Sequence, residues 1–474
     1  MNNAQIKRAA LILISLIIFA AAVLSGGCSG GGNGSGNGSG SLDNVPADTI
    51  VLAVREDRTS AGAQQKLEEC IGQYIDAFRE EHPETKVRVI YYPELPKELS
   101  GIDCMLLGAD DMLLYAEKSL EDVEKYIDEA GFSLSDIAGG AVNTARIFDG
   151  EPVRMIPFNY DHAVVLGDRE LFNAAGVEIP GADWTLEDLE TVSEALTERR
   201  DKVSYAGIYM PYYMNYSWQY FCNLLAGTYL TGGRFDFGTE GAVNDAVRRM
   251  YALYANNSAY SPKLSTTLRT CVMSLTYASQ PDRNNLSFET EKNLARNPGK
   301  RAGELAASGN LVLLPLPSAS DGTRTGVANT DFIKGFAVNS ASGKKAAAGK
   351  FASFCLTEKG QRILNSYFGG IPSNRNFWAA DFWRTGVFQG GNGDNALIGI
   401  DQGRRDDFTA ALKGGNDVYN KNIRMRTVFS AVMVREFGGK KGIDKFIDHL
   451  EIFALDANKV IDGKAVIYSR EGVS

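Results

Sequence analysis

The side chains of this sequence that could do chemistry are carboxylates and aromatic rings. Acidic residues gather in Arg55-Glu56-Asp57 and in Asp110-Asp111. The run "YMPYYMNYSWQYF", Tyr209 to Phe221, crowds aromatic rings beside Asn215, Ser217 and Gln219. Tyr367-Phe368-Gly369-Gly370 ends in two glycines, which let backbone approach a bound molecule closely or simply end a helix. The histidines, His82, His162 and His449, are scattered, and no HExxH occurs, so a zinc site is not expected. GxGxxG ahead of a helix, a P-loop, GxSxG and CxxC are all missing, and no internal repeat is visible. A formal net charge of -9 argues against nucleic acid as a partner.

Cys28 stands apart from the other cysteines. Before it, Lys7 and Arg8 lead into a run that is apolar from Ala9 to Leu24 with only Ser15 interrupting. A positive start, an apolar middle and small residues at the end describe a secretory signal, and the run is short of the about 20 residues of a membrane span. Leu24-Ser25-Gly26-Gly27-Cys28 resembles a bacterial lipobox, with Ser25 where the leucine usually stands; the resemblance implies cleavage before a lipid-modified Cys28. Ser29 to Ser41 is Gly, Ser and Asn only, a composition that cannot bury a core and behaves as a flexible tether. Cys70, Cys104, Cys222, Cys271 and Cys355 are widely spaced in apolar surroundings and read as buried free thiols, with room for one incidental disulfide.

The elements that must position the acids follow from periodicity. More than 400 residues after the tether exceed a single core, so two domains are expected. Thr49 to Val54 reads as a strand, Gln65 to Glu81 as a helix with its stripe at Leu67, Cys70/Ile71, Tyr74/Ile75 and Phe78, and Lys86 to Tyr92 as a second strand. Ile102 to Leu107 is a third, buried strand, followed by a helical pattern from Asp110 through Ile127. In such open α/β sheets ligands bind at the carboxyl ends of strands, which places Arg55-Glu56-Asp57 and Asp110-Asp111 on one rim. Asp161 to Gly167 is a strand and Asp168 to Ala175 a short helix. Thr185 caps the next helix with Asp188 as capping-box partner, and Leu186, Leu189, Val192 and Leu196 form its inner stripe.

At this point a family pattern is complete. A Pro-aromatic segment, a strand, a charged turn, "LF..AG", a proline and "W.L.DL" stand here from Pro157 to Leu196. "GNLVLLPLPSA", "KFASFCLTEKGQRILNSYFGGIPSNRN" and a long amphipathic run from Ile443 to Val460 complete it. In this order the pieces resemble the extracellular solute-binding proteins that serve ABC importers, the maltodextrin-binding-like group. The resemblance covers nearly all of the chain after the tether and is loosest from Tyr254 to Arg301.

The resemblance implies a two-lobed α/β fold of the periplasmic-binding-protein kind, each lobe a sheet flanked by helices, with a ligand cleft between the lobes. It divides the chain into a signal at 1–27, the lipidated cysteine and tether at 28–48, a first lobe of 49–160 plus 311–367, and a second of 161–310 plus 368–474. It implies a monomer that captures a small solute, most simply a sugar, outside the cytoplasmic membrane or in the periplasm, and passes it to permease subunits, with no enzyme activity, cofactor or metal. Carboxylates accept hydrogen bonds from sugar hydroxyls and aromatic rings stack on sugar faces. The residues expected to do so are Asp161 at the lobe crossover, Asp110, Glu56, Asp57, Tyr212, Tyr213, Tyr216, Trp218, Gly369, Gly370 and Arg375. Trp378, Trp383, Arg424 and Arg426 are weaker choices. Each has a structural alternative: Asp110 as a helix N-cap, Trp218 and Phe221 as one buried helix face. Three rival functions remain open, one of them a binding protein that signals to a receptor rather than feeding an importer. Ferric ion could be held by adjacent tyrosines, Tyr212-Tyr213 or Tyr91-Tyr92. A secreted glycosidase would need two carboxylates about 5–10 Å apart, and no motif marks such a pair.

Overall fold

The computed structural model describes residues 45–60, 62–115, 119–147, 150–200, 203–211, 215–227, 230–231, 234–237, 241–261, 269–279, 298, 301–389, 392–405 and 442–462. Two mixed sheets organise them. The first contains β1 (Thr49–Arg55), β2 (Lys86–Tyr92), β3 (Cys104–Gly108), β4 (Ile156–Pro157) and a strand from much later in the chain, β10 (Lys334–Val338). Their order is β2-β1-β3-β10-β4. β1 runs parallel to β2 and β3, whereas β10 is antiparallel to β3 and β4. Helix α1 (Ala63–Glu81) crosses from β1 to β2 and buries Leu67, Cys70, Ile71, Tyr74 and Phe78, the predicted stripe.

The second sheet is built from β5 (Ala163–Asp168), β6 (Val203–Tyr209), β7 (Ala259–Tyr260), β8 (Thr270–Tyr277) and β9 (Leu311–Leu314), in the order β7-β6-β8-β5-β9. β7 and β8 are parallel to β6, and β5 is antiparallel to β8 and β9. Helix α2 (Arg169–Ala175) starts where the Asp168 carboxylate accepts from the Glu170 and Leu171 amides. Helix α3 (Leu186–Ala195) carries the predicted Thr185/Asp188 capping box. Helices α4 (Asn215–Ala226), α5 (Ala242–Ala255) and α6 (Ala302–Ala307) lie between the strands of this sheet in sequence. Helices α7 (Lys345–Ser353) and α8 (Glu358–Phe368) follow β10, and α9 (Gly442–Ile461) closes the described chain.

Three expectations change. Leu311–Leu314 pairs with β5, so it belongs to the second sheet, and the return to the first comes between it and Lys334. The helical pattern from Asp110 through Ile127 is broken: a 3₁₀ turn covers Asp110–Leu114, Tyr115 is extended, and a separate helix spans Glu124–Glu129. Met112 and Leu113 are buried in one piece and Tyr126 and Ile127 in the other, and together they mimic one periodic stripe. Third, α4 buries more than one face. Ser217, Trp218, Gln219, Tyr220, Phe221 and Cys222 are all buried, as expected of a helix packed all round. Cys70, Cys104, Cys222, Cys271 and Cys355 are free and buried; Cys28 and the tether lie outside the described residues.

The two sheets meet at the crossovers. Asn159–Tyr160 pairs antiparallel with Ile371–Pro372, and His162 bridges Ala328. The Tyr160 ring packs deeply, its hydroxyl directed at the backbones of Gly140 and Gly403, where a Cβ would overlap it.

Candidate functional site

Because β1 and β3 run parallel, their carboxyl ends share a rim, and antiparallel β10 brings its first residue there: Lys334 pairs with Gly108. Gly108 has no room for a side chain. A Cβ there would lie 2.8 Å from the Lys334 ammonium and 2.9 Å from an Asp111 carboxylate oxygen. The second sheet offers the carboxyl end of β8, which runs into Ala278-Ser279. A cleft of ≈ 510 Å³ opens between these rims, lined by Asp57, Thr59, Ser60 and Lys66 after β1, by Asp331, Phe332 and Lys334 at β10, by Tyr367 and Phe368 at the end of α8, and by Ser279. Beyond Ser279, Phe332 and Phe368, which they share, lies a second hollow of ≈ 420 Å³, walled by Phe382, Trp383, Phe388 and the glycines Gly369 and Gly370.

The rim is wired by ion pairs. Arg55 pairs with Asp111, whose other oxygen accepts from the Gly108 amide at 2.8 Å. Arg58 grips Glu56 at 2.6 and 2.8 Å. Asp57 accepts from the Thr59 amide at 2.9 Å and hydroxyl at 2.5 Å, and from the Tyr367 hydroxyl. Burial and the Asp57 carboxylate push the Tyr367 phenol above its ordinary range. Burial pulls the Lys334 ammonium below the usual lysine range, opposed by the Asp111 carboxylate.

The cleft thus gathers Asp57 among the expected residues, while Gly369 and Gly370 line the adjoining hollow with positive φ of 67° and 87°. Other expectations are corrected. Asp161 is fully buried rather than on a rim. Its carboxylate accepts from the Ser279 amide at 2.9 Å and the Asn329 side-chain amide at 2.7 Å, and its carbonyl accepts from the Asn329 amide at 2.9 Å. It ties the crossover to the end of β8 and to the return segment. Burial raises its pKa to about 6 against the pull of these bonds, and burial lowers that of the neighbouring His162 to about 4. Asp110 is not an N-cap; it opens the 3₁₀ turn and faces the buried Arg405 at 3.5 Å. Arg405 also donates to the carbonyls of Ala109 at 2.8 Å and Arg146 at 3.1 Å, and to that of Thr144. Trp218 is in the core, edge-on to Phe237 at 6.4 Å, so it cannot stack on a ligand. Glu56 is held by Arg58, and Arg375 pairs with Asp401, donates to Ile137 and lies over the Trp378 ring. Trp383 lines the second hollow but is almost wholly buried. Tyr212 and Tyr213 lie outside the described residues, as do Arg424 and Arg426; Tyr216 is on α4, its side chain undescribed. Tyr91 and Tyr92 are successive residues of β2 and point to opposite faces, which removes them as a chelating pair. Among the described residues no group of three or more His, Cys, Asp or Glu side chains is placed to hold a metal ion.

Sequence reasoning missed Lys66, Ser279, Phe332 and Lys334. Lys334 left one trace, a charged first residue on a buried apolar strand "GFAV".

A profile of the bacterial extracellular solute-binding proteins matches residues 73–387, more than half of the chain. The chain belongs to this family. Solved structures share the fold of this solute-binding protein. The sugar-binding protein MalE of Xanthomonas citri is 15% identical with a TM-score of 0.62, over 88% of this chain and 100% of that one. Lmo0181 of Listeria monocytogenes, in complex with cycloalternan, is 18% identical with a TM-score of 0.57, over 87% and 99%. The GacH receptor of Streptomyces glaucescens, solved unliganded and with acarbose, is 16% identical with a TM-score of 0.54, over 87% and 98%. A comparison with curated protein sequences gives no match.

Proposed function

We propose that this solute-binding protein captures a saccharide in the ≈ 510 Å³ cleft and delivers it to the permease of an ABC importer. The observation that carries the reading is the cleft itself, lined by residues that follow β1, by the start of β10 and by Ser279 after β8 of the second sheet. Such lobes close as rigid bodies on a ligand that binds the closed state better. Phe332, Phe368 and Tyr367 offer ring surface, and Thr59, Ser60 and Ser279 offer small polar groups, a mixture suited to sugars. Relatives of the same fold were solved with cycloalternan and with acarbose. A lipid on Cys28 and the Ser29–Ser41 tether would hold the protein at the outer face of the membrane.

The test is thermal melting of the purified full chain against saccharides, ferric ion and peptides. Ligand at a hundred times its Kd adds about 2.7 kcal/mol of stability. Saccharides are expected to raise the melting temperature and to be recovered chemically intact. A shift with ferric ion or peptides alone, or steady hydrolysis of a glycoside, would overturn the reading.

A further inference from the structure

Hydrogen-bonding capacity around the cleft is unevenly committed. Three rim carboxylates are held by hydrogen bonds from protein donors, Glu56 by Arg58, Asp57 by Thr59 and Tyr367, and Asp111 by Arg55 and the Gly108 amide, and Asp110 is ion-paired with Arg405 at 3.5 Å. The arginines among those donors are committed in the same pairs. The lysines differ. Lys334 donates to the Asp331 carbonyl at 2.8 Å, which uses one of its three N–H groups. Lys66, exposed on the first turns of α1, has no hydrogen-bond or ion-pair partner for its ammonium among the described residues. Both lysines line the same cavity. Apart from Asp331, which also lines the cavity, the charged groups the rim has left to offer a ligand are therefore donors, and cationic ones.

We infer that the ligand presents a negatively charged oxygen group, a carboxylate or a phosphate, to Lys334 and Lys66, so that this protein selects an acidic saccharide over a neutral one. The inference rests on the saccharide reading above. A neutral sugar would find acceptors in Asp331 and the Thr59, Ser60 and Ser279 hydroxyls but would leave the two ammonium groups without a counter-charge, whereas an anion meets unfilled donors and forms the stronger, charge-assisted bonds. It would also relieve Lys334, whose charged form burial disfavours.

Isothermal titration of the full chain with trigalacturonate, glucose 6-phosphate and neutral maltotriose tests this. At least one anionic probe is expected to bind about tenfold or more tightly than maltotriose and to weaken with added salt. Which of the two wins identifies the anion. Lys334→Gln is expected to lower that affinity about tenfold to a hundredfold, while Lys334→Arg retains most of it. Lys66→Gln, at an exposed helix position, carries the test if Lys334→Gln melts early. Maltotriose binding as well as the anions, or anion affinity unmoved in both glutamine variants, overturns the inference and leaves the saccharide reading standing. Binding of none of the three probes, with a non-saccharide found in the melting screen, overturns both.

Discussion

Asp161 and His162 are adjacent, both buried, and titrate in opposite senses. Burial holds the folded-state pKa of Asp161 at about 6, above the ordinary aspartate value. Its contribution is therefore fully present below pH 4 and is lost as pH rises through 6. His162, lowered to about 4, contributes stability that is present above its ordinary pKa of about 6.5 and is lost as pH falls through 4. Over pH ~4 to 6 the two slopes oppose, each at most about 1.4 kcal/mol per pH unit. Relative to wild type, His162→Gln should lose stability as pH rises across this window and Asp161→Asn should gain it, as read by urea melts at several pH values. Asp161→Ala, which strands the Ser279 amide and the Asn329 side chain, should cost about 2–4 kcal/mol. Parallel pH profiles for all three proteins would contradict the account. The sequence showed that an acid, Asp161, opens an apolar strand. It could not show that the partners, Ser279 and Asn329, lie 118 and 168 residues away.

Elements were legible where their signals are local. β1, β2 and α1 lie within two residues of where alternation and the helical stripe place them, and the Thr185/Asp188 box is formed. What failed was non-local. Nothing in "LVLL" says which sheet it joins, and a helix packed on several sides, like α4, hides Trp218 from any argument based on one face. The fit between Tyr160 and two glycine-bearing segments was equally invisible. The buried Tyr160 hydroxyl has no hydrogen-bond partner among the described residues and fills the space that side chains at Gly140 and Gly403 would need. Gly403→Ala should therefore cost about 1–3 kcal/mol through overpacking. Tyr160→Phe alone should be nearly neutral, and combined with Gly403→Ala it should recover part of the loss. The ring carbon bearing the hydroxyl would still stand 2.9 Å from the new methyl, so recovery should be incomplete. Additive losses in the double variant, measured by denaturant titration, would exclude the overlap as the cause.

At the scale of the whole molecule, the order of degenerate motifs carried more information than any one of them. It pointed to the family that the match over residues 73–387 establishes, while among the expected site residues Asp161, Asp110, Trp218 and Arg375 make structural contacts and Asp57, Gly369 and Gly370 line the cleft and the adjoining hollow. The tether adds a prediction of its own. If Cys28 carries the lipid, Cys28→Ser should move the protein from the membrane fraction to the medium or leave it unprocessed. A wild-type mature N-terminus anywhere but Cys28, read by mass spectrometry, would contradict this.

The strand order of the first sheet has a consequence for how the chain is made. β10 is wedged between β3 and β4, with Gly335 facing both Leu107 and Pro157. Until Lys334–Val338 has left the ribosome, β3 has a bare edge and β4 lacks the strand it pairs with, so the sheet is incomplete. Pairings of such long sequence separation form slowly. Completion of the first sheet is thereby held back during synthesis of roughly the first three hundred residues. The topology that brings Lys334 to the rim of the cleft also makes the first sheet one of the last parts of the fold to be completed.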